Sequence, residues 1–181
     1  MRTAEAITIG VLSSIIASAL WILILSRLTP KLDVSPEIAE DPGGANLGSP
    51  TFRIKVVNRS RRAAMDLRFQ VDLMTPVRAK GGHVNRRSPL ECGNAPLMFP
   101  RYHRSGKDHD NAYRLRINSD IKGLLKKNPN SSIRLQIFAR HELSGMGKVF
   151  EQRYYHPSSE IVLGSFVRGQ DLTLIPETRE A

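Results

Sequence analysis

The chain has 181 residues and is basic, with 27 Lys and Arg residues against 17 Asp and Glu residues and a formal net charge of +10 at pH 7. Its single cysteine, Cys92, excludes an intramolecular disulfide framework, and its length favours one folded domain over several. The basic composition leaves three classes of partner to weigh: nucleic acid, an anionic membrane surface, and another anionic ligand or protein.

The first predicted element is a membrane-spanning helix. Residues 6–25 carry no charge, and at about 1.5 Å rise per residue they make a helix of about 30 Å, the hydrocarbon thickness of a bilayer. The alternative is a cleaved signal peptide, with Arg2 as its basic start and the "ASA" of 17–19 as its cleavage site. Because that triplet lies inside the apolar run and Glu5 weakens the basic start, we predict an uncleaved anchor over residues 1–28.

Small residues recur at every fourth position of this segment, at Ala6, Gly10, Ser14 and Ser18. This spacing places them on one helix face, where two backbones can approach closely. Gly10, Ser14 and Ser18 are therefore candidate contacts for a homo-oligomer held through the anchor. The alternative is a chance pattern, since the whole segment is rich in Ala, Gly and Ser.

The charges that flank the anchor set its expected orientation. Arg2 and the amino terminus lie on one side, whereas Arg27 and Lys31 lie on the other, and the positive-inside rule then places the carboxy-terminal side in the cytoplasm. The lack of a disulfide framework is in keeping with that compartment. We expect a single-pass protein of the inner or plasma membrane of a bacterium, with its soluble domain in the cytoplasm.

An extended stalk is predicted over residues 29–50, which are rich in Pro, Gly and acidic residues. Within it, the "KLDVS" of 31–35 is a candidate edge strand. A short helix is expected at 119–128, with Ser119 as its N-cap.

Beyond the stalk, apolar and polar residues alternate, which predicts half-buried antiparallel strands. Several short strands with a single core predict an all-β fold, one antiparallel β-sandwich over residues 51–176 with a tail at 177–181. The predicted strands lie near 52–56, 65–74, 113–117, 133–137, 148–156, 160–166 and 171–175.

The strand at 65–74 has the most regular pattern in the chain. Met65, Leu67, Phe69, Val71 and Leu73 alternate with polar residues without a break, which predicts that all five face the core.

The surrounding sequence "VVNRSRRAAMDLRFQVDLM", residues 56–74, resembles the immunoglobulin-like modules of bacterial proteins. In those modules one strand ends in Asn and a small residue, and an Ala-x-Asp-Leu/Val stretch opens the next; the matching residues here are Asn58, Ser60, Ala64, Asp66 and Leu67. The resemblance implies an immunoglobulin-like β-sandwich. The Cys…Trp…Cys signature of antibody domains is missing, so that subclass is not implied.

Positive charge is concentrated between residues 53 and 153, which hold 22 basic and 8 acidic residues. Many of these residues fall on polar strand positions, where a solvated face is the ordinary explanation. Three predicted turns, at 58–62, 78–87 and 100–107, add further arginines. They make candidate contacts to anionic lipid, another anionic ligand or a protein partner: Arg59, Arg61, Arg62, Arg86, Arg87, Arg101 and Arg104.

Nucleic acid is the less favoured partner, because the sequence carries no RNA-recognition strand signature, helix-turn-helix or zinc-finger spacing. A metal-dependent hydrolase would have to use His103, Asp108, His109 and Asp110, but sequence neighbours in a strand point apart and no second ligand pair can be assigned. Cys92 has neither a helix start nor a nearby histidine to activate it. We therefore expect no catalytic site, no metal and no cofactor.

The leading hypothesis is a membrane-tethered binding module that recognises a protein partner or an anionic ligand. The alternative is a membrane effector that oligomerises through its anchor, since the architecture is similar to that of β-rich effectors of bacterial antiviral nucleotide signalling. The metal-dependent hydrolase is the third hypothesis.

Overall fold

The computed structural model of the chain describes residues 2–41, 51–94, 96, 98–101 and 112–177. The uncharged N-terminal run forms helix α1, Arg2–Arg27, which confirms the predicted helix. Its segment Ile7–Arg27 is long and apolar enough to cross a membrane, and none of it is buried against the rest of the chain.

The remaining described residues form strands and two short helices. The helices are α2, Ile121–Lys127, and α3, Pro157–Glu160. The strands are β1 Leu32–Val34, β2 Ile38–Asp41, β3 Thr51–Asn58, β4 Ala64–Ala79, β5 Gly82–Leu90, β6 Met98–Phe99, β7 Ala112–Ile117, β8 Ser132–His141, β9 Gly147–Tyr154, β10 Ile161–Phe166 and β11 Leu174–Pro176.

Strands β1 and β2 lie where the sequence predicted a stalk. Both pair antiparallel with β3, β1 along its second half, where Val34 is opposite Val56, and β2 along its first half, where Ala39 is opposite Arg53. The structure therefore corrects the stalk prediction over residues 32–41, which belong to the folded domain and contain the expected edge strand. The rest of the predicted stalk, from residue 42, lies outside the described residues.

The first sheet is built around β3, with β7 on its other edge. The sheet continues from β2 to β10 and then to β11. β10 and β2 run parallel, with Ile161 opposite Ile38, so the prediction of a purely antiparallel fold is wrong at this pair. A parallel pair cannot be closed by a tight turn, and here almost the whole domain lies between its two strands.

The second sheet has the order β5, β4, β8, β9, and β6 pairs with the start of β4. One hydrophobic core draws buried side chains from both sheets, as the sequence predicted for a single core. The Tyr154 hydroxyl of β9 donates a hydrogen bond of 2.9 Å to the Ser35 carbonyl between β1 and β2, which links the two sheets. The largest fully buried apolar residues are Tyr154, Phe52, Phe99, Ile38, Ile54, Leu115, Ile117, Ile121, Ile133, Leu135 and Ile137.

The regular strand at 65–74 contains a break near its start. The pairing of β4 with β8 shifts between Met65 and Arg68, and Asp66 has φ of +52°. Such a bulge turns one residue away from the face that the alternation assigns to it. Met65 is consequently 39% exposed while Leu67 is buried, so the prediction that Met65 faces the core is wrong.

Strands β4 and β5 form a hairpin that extends past β8. Pairing with β8 ends at Met74, whereas pairing with β5 continues to Ala79, opposite Gly82. The structure thus corrects the prediction that residues 78–87 form a turn, because most of them lie in β5.

The cap of helix α2 also differs from the prediction. The Asp120 carboxylate accepts a hydrogen bond of 3.0 Å from the N–H of Gly123, so Asp120 is the N-cap. Ser119 instead accepts a hydrogen bond of 3.0 Å from the N–H of Glu91 through its hydroxyl oxygen.

Candidate functional site

The turn between β3 and β4, residues 59–62, is called the basic turn below. Its first arginine is engaged within the chain: Arg59 Nε lies 2.8 Å from the Asp33 carboxylate, and its Nη2 donates a hydrogen bond of 3.2 Å to the Gln170 carbonyl. Arg61 and Arg62 are exposed and form no ion pair with the described residues. Two of the three predicted contacts in this turn are therefore available to a partner.

The arginines of β5 lie elsewhere on the domain. Arg87 is opposite Met74 and its Nε lies 2.7 Å from the Asp72 carboxylate, while Arg86 is exposed on the hairpin. At about 3.3 Å per residue, the stretch of β4 from Ala64 to Met74 separates them from the basic turn by about 30 Å. The predicted basic residues therefore do not form one patch. Arg101 is exposed, and Arg104 lies outside the described residues.

Part of the positive charge on the strands is paired locally with acidic side chains, and the field of one sign that the sequence indicated stays a prediction. Asp72 is shared by Arg87 and Arg134, and five more ion pairs are present among the described residues, of which Arg153–Glu151 lies within β9. These pairs are Arg53–Asp41, Arg59–Asp33, Lys122–Glu40, Arg140–Asp66 and Arg153–Glu151.

The candidate self-association residues Gly10, Ser14 and Ser18 are exposed on α1. A side chain at Gly10 would meet nothing within 4 Å, and the neighbouring Ser13 donates its hydroxyl to the Gly10 carbonyl at 2.9 Å. The helix face is therefore uncovered within the chain, which leaves self-association a prediction.

Three cations without an ion pair among the described residues come together at Lys55, on the outer face of β3. Lys55 lies between Ile54 and Val56, which face the core, so its own side chain points away from the core. The segment 167–173, which joins β10 to β11, passes over this position.

That segment is held in place by apolar packing and by the cations beneath it. Ala39, Phe166 and Leu174 form a small apolar cluster at its two ends. In its middle, the Lys55 ammonium donates a hydrogen bond of 2.7 Å to the Val167 carbonyl and another to the Asp171 carbonyl. Lys55 is consequently only 1% exposed although it lies on the outer face of the sheet.

A cleft of about 410 Å³ opens beside these groups. Its lining residues are Lys55, Ala112, Tyr113, Arg114, Arg168 and Gly169, and they define what we call the Lys55 cleft. Three of the six are cationic and none is acidic.

The electrostatics of the Lys55 cleft favour a bound anion. Burial, and next the positive charge of Arg114, lowers the pKa of Lys55 to about 8, and Asp171 opposes this only in part. The Asp171 carboxylate is instead occupied by the Thr173 N–H at 2.9 Å and the Thr173 hydroxyl at 2.6 Å. The ammonium therefore has neutral carbonyl partners and no carboxylate within ion-pair distance in the described part of the chain.

The other cleft residues complete the wall. Arg114 Nη2 donates to the Phe166 carbonyl at 3.3 Å, which fixes its guanidinium at the rim, and Arg168 is exposed at the entrance. The Tyr113 ring stacks on Phe69 with 5.5 Å between centroids, and its hydroxyl donates to the Asn94 carbonyl at 2.6 Å. Because Tyr113 lies opposite the core-facing Val56 and alternates with Arg114, its ring packs on the core side of the sheet, away from the Lys55 and Arg114 side chains.

The residues considered for catalysis show no such arrangement. Burial raises the pKa of the Cys92 thiol, which keeps it protonated and weakly nucleophilic at neutral pH. Among the described residues there is no group of three His, Cys, Asp or Glu side chains that could hold a metal ion. His103, Asp108, His109 and Asp110 lie outside those residues, so the metal hypothesis stays a prediction.

The sequence matches no protein-family model, and its comparison with curated proteins finds no match. The site must therefore be interpreted from its own chemistry.

Proposed function

We propose that this protein is a single-pass membrane protein whose β domain binds a small anionic ligand in the Lys55 cleft. The observation that carries the proposal is the Lys55 ammonium, which is 1% exposed, has no carboxylate partner among the described residues and lies beside Arg114 and Arg168. A ligand carboxylate or phosphate would supply the missing countercharge, and charge-assisted hydrogen bonds to such groups are the strong ones.

The membrane part of the proposal rests on α1. We assign Ile7–Arg27 as a transmembrane anchor, because its length and apolar composition suit a bilayer and the domain covers none of it. We infer that the domain faces the cytoplasm at the inner or plasma membrane, supported by Arg27 and Lys31 under the positive-inside rule. We further assign the two sheets to the immunoglobulin-like sandwich class, supported by their shared core and by residues 56–74.

The cleft also limits the kind of ligand. Its volume of about 410 Å³ lies at the lower end of the range for small-molecule sites, and its charged lining residues, Lys55, Arg114 and Arg168, are all cationic. A compact molecule with a phosphate or carboxylate group matches this wall.

Binding of inorganic phosphate to the full chain in detergent micelles tests the proposal, with acetate as the carboxylate probe. We expect phosphate to raise the Tm of the wild type, because a ligand that binds only the native state stabilises it. Arg168→Gln, at an exposed residue, should keep the Tm without ligand and weaken phosphate binding at least fivefold.

Arg86→Gln is the matched control, since Arg86 is equally exposed and lies on the distant hairpin. It should bind phosphate as the wild type does. Equal phosphate affinities for all three proteins would contradict the proposal. A second readout is the Lys55 pKa measured by NMR, which a bound anion should raise from about 8.

A further inference from the structure

The end of α1 is fastened to one end of the β domain. The Ser144 hydroxyl, in the loop that joins β8 to β9, donates a hydrogen bond to the carbonyl of Leu28, one residue beyond the helix. The Lys31 N–H donates to the Ser60 hydroxyl at 2.7 Å, and the Arg59 N–H donates to the Lys31 carbonyl at 2.8 Å. The short link between helix and domain is thus bonded on both sides.

The loop is also bonded to Ala63, the residue that directly follows the basic turn. The Glu142 N–H donates to the Ala63 carbonyl at 3.2 Å, and the Ala63 N–H donates to the Glu142 carboxylate at 3.1 Å. Within the loop, the Ser144 N–H donates to His141 Nδ1 at 3.3 Å, and burial lowers the pKa of His141, which keeps this acceptor nitrogen unprotonated. Helix end, basic turn and loop therefore form one bonded unit.

This unit presents apolar and cationic side chains without partners in the described chain. Leu143 is 61% exposed and Met146 is 38% exposed at the tip of the loop. Arg61 and Arg62 are exposed on the adjoining basic turn. Exposed apolar residues beside arginines are typical of surfaces that lie at the boundary of lipid headgroups and acyl chains.

We propose that this end of the domain rests on the bilayer that holds α1, with Leu143 and Met146 among the lipids and with Arg61 and Arg62 on anionic headgroups. The inference rests on the proposed transmembrane anchor and not on ligand binding in the Lys55 cleft. If Ile7–Arg27 spans the hydrocarbon, Leu28 lies at its boundary. The bond from Ser144 to Leu28 then places the neighbouring Leu143 at the same depth.

Fluorescence of the full chain in lipid nanodiscs tests the inference. In a Trp21→Phe background, Leu143→Trp puts the only tryptophan at the loop tip, and Val84→Trp puts it on the hairpin that extends from the opposite end of β4. Val84 is the matched control because it is exposed to a similar extent as Leu143, 58% against 61%. With brominated lipids in mixed phosphatidylcholine and phosphatidylglycerol discs, we expect at least threefold stronger quenching at position 143 than at position 84.

A second part of the experiment tests the contribution of the basic residues. Changing Arg61 and Arg62 to Ser should reduce quenching at position 143 to the level seen in pure phosphatidylcholine, whereas changing Arg78 and Arg86 on the hairpin should not. Equal, weak quenching at 143 and 84 in chains that resist alkaline extraction would overturn the inference and leave the anchor intact, and the surface would then face a protein partner. Extraction of the chain by alkaline carbonate would overturn the anchor as well.

Discussion

Arg134 of β8 lies directly opposite Asp72 of β4, with 3.3 Å between its Nη2 and the Asp72 carboxylate. Asp72 is fully buried although it lies on the outer face of the sheet, and Arg134 Nε has no hydrogen-bond partner among the described residues. Arg87 and Gln70 also bond this carboxylate, so one acid supports a polar cluster on the outer face.

Asp72→Asn should therefore lower the free energy of unfolding by about 3 kcal/mol, because it leaves the cation of Arg134 in a site with little water and no countercharge. Urea denaturation of the full chain measures the change. Asp66→Asn is the control, since the Asp66–Arg140 pair is exposed and Asn tolerates the positive φ of that position. Equal losses for the two variants would refute the role assigned to Asp72.

The stability of the domain should depend on the protonation of Lys55 in alkaline solution. Its pKa is about 8 in the native state and near 10.5 in the unfolded chain, so between these values the unfolded chain binds more protons. The cost of burying the charge is fully present below pH 8 and is relieved as the pH rises toward 10.5. Relative to Lys55→Met, the wild type should gain on the order of 2 kcal/mol between pH 7 and pH 10.

The comparison with Lys55→Met is necessary because Tyr154 and Tyr113 have raised pKa values, and such groups lower stability as the pH rises above the pKa of the unfolded chain. Both tyrosines are present in the two proteins, so their effect cancels in the difference. A difference in unfolding free energy that stays flat from pH 7 to pH 10 would contradict the shift assigned to Lys55.

The position of β1 and β2 predicts where the soluble domain begins. A chain that starts at Thr29 keeps both strands, whereas one that starts at Thr51 loses them, uncovers an edge of β3 and removes one of the two partners of β10. We expect the longer chain to unfold cooperatively and the shorter one to aggregate, because an unpaired, apolar strand edge pairs with other chains. Far-UV circular dichroism and light scattering distinguish the two. A shorter chain that is monomeric and equally stable would show that residues 32–41 are dispensable.

The bulge at Asp66 predicts unequal effects of the same substitution at two nearby sites. Leu67→Asp should prevent folding, because it places a charge in the core shared by both sheets. Met65→Asp should change the unfolding free energy by less than about 1 kcal/mol, since Met65 is 39% exposed, lies outside the core and is opposite Arg140. Thermal denaturation compares them, and a similar collapse of both variants would argue for the unbroken alternation that the sequence indicates.

The elements with a strong local signal could be predicted from the sequence. An uncharged run defines α1, and two-residue alternation locates strands β3, β7 and β9 within one or two residues of their ends, whereas the predicted strand at 133–137 stops four residues before the end of β8. β2 was missed because four residues between prolines carry no periodicity of their own, and only pairing with β3 and β10 makes them a strand. The bulge at Asp66 was missed because apolar and polar residues alternate without a break through this position, so nothing in the sequence marks the shift in pairing.

The candidate site was harder to predict than the fold. Lys55 and Arg114 occupy polar positions of alternating strands, which is the pattern of a solvated face. They differ from Arg53 because the segment 167–173 lies over Lys55. That segment is more than a hundred residues away from Lys55 along the chain. The basic turn was found by its composition, but only the bonds of Arg59 to Asp33 and Gln170 show which of its arginines serve the fold.

The parallel pairing of β2 with β10 has a consequence for biosynthesis. Strand β2, the second to leave the ribosome after α1, has one of its two neighbours near the opposite end of the chain, with Ile38 opposite Ile161. Translation proceeds at about 5–20 residues per second, so β2 stays without this partner for several seconds after it is made. If α1 is the membrane anchor proposed above, it has time to enter the bilayer before the first sheet can close, and the nascent domain then completes its folding while attached to the membrane.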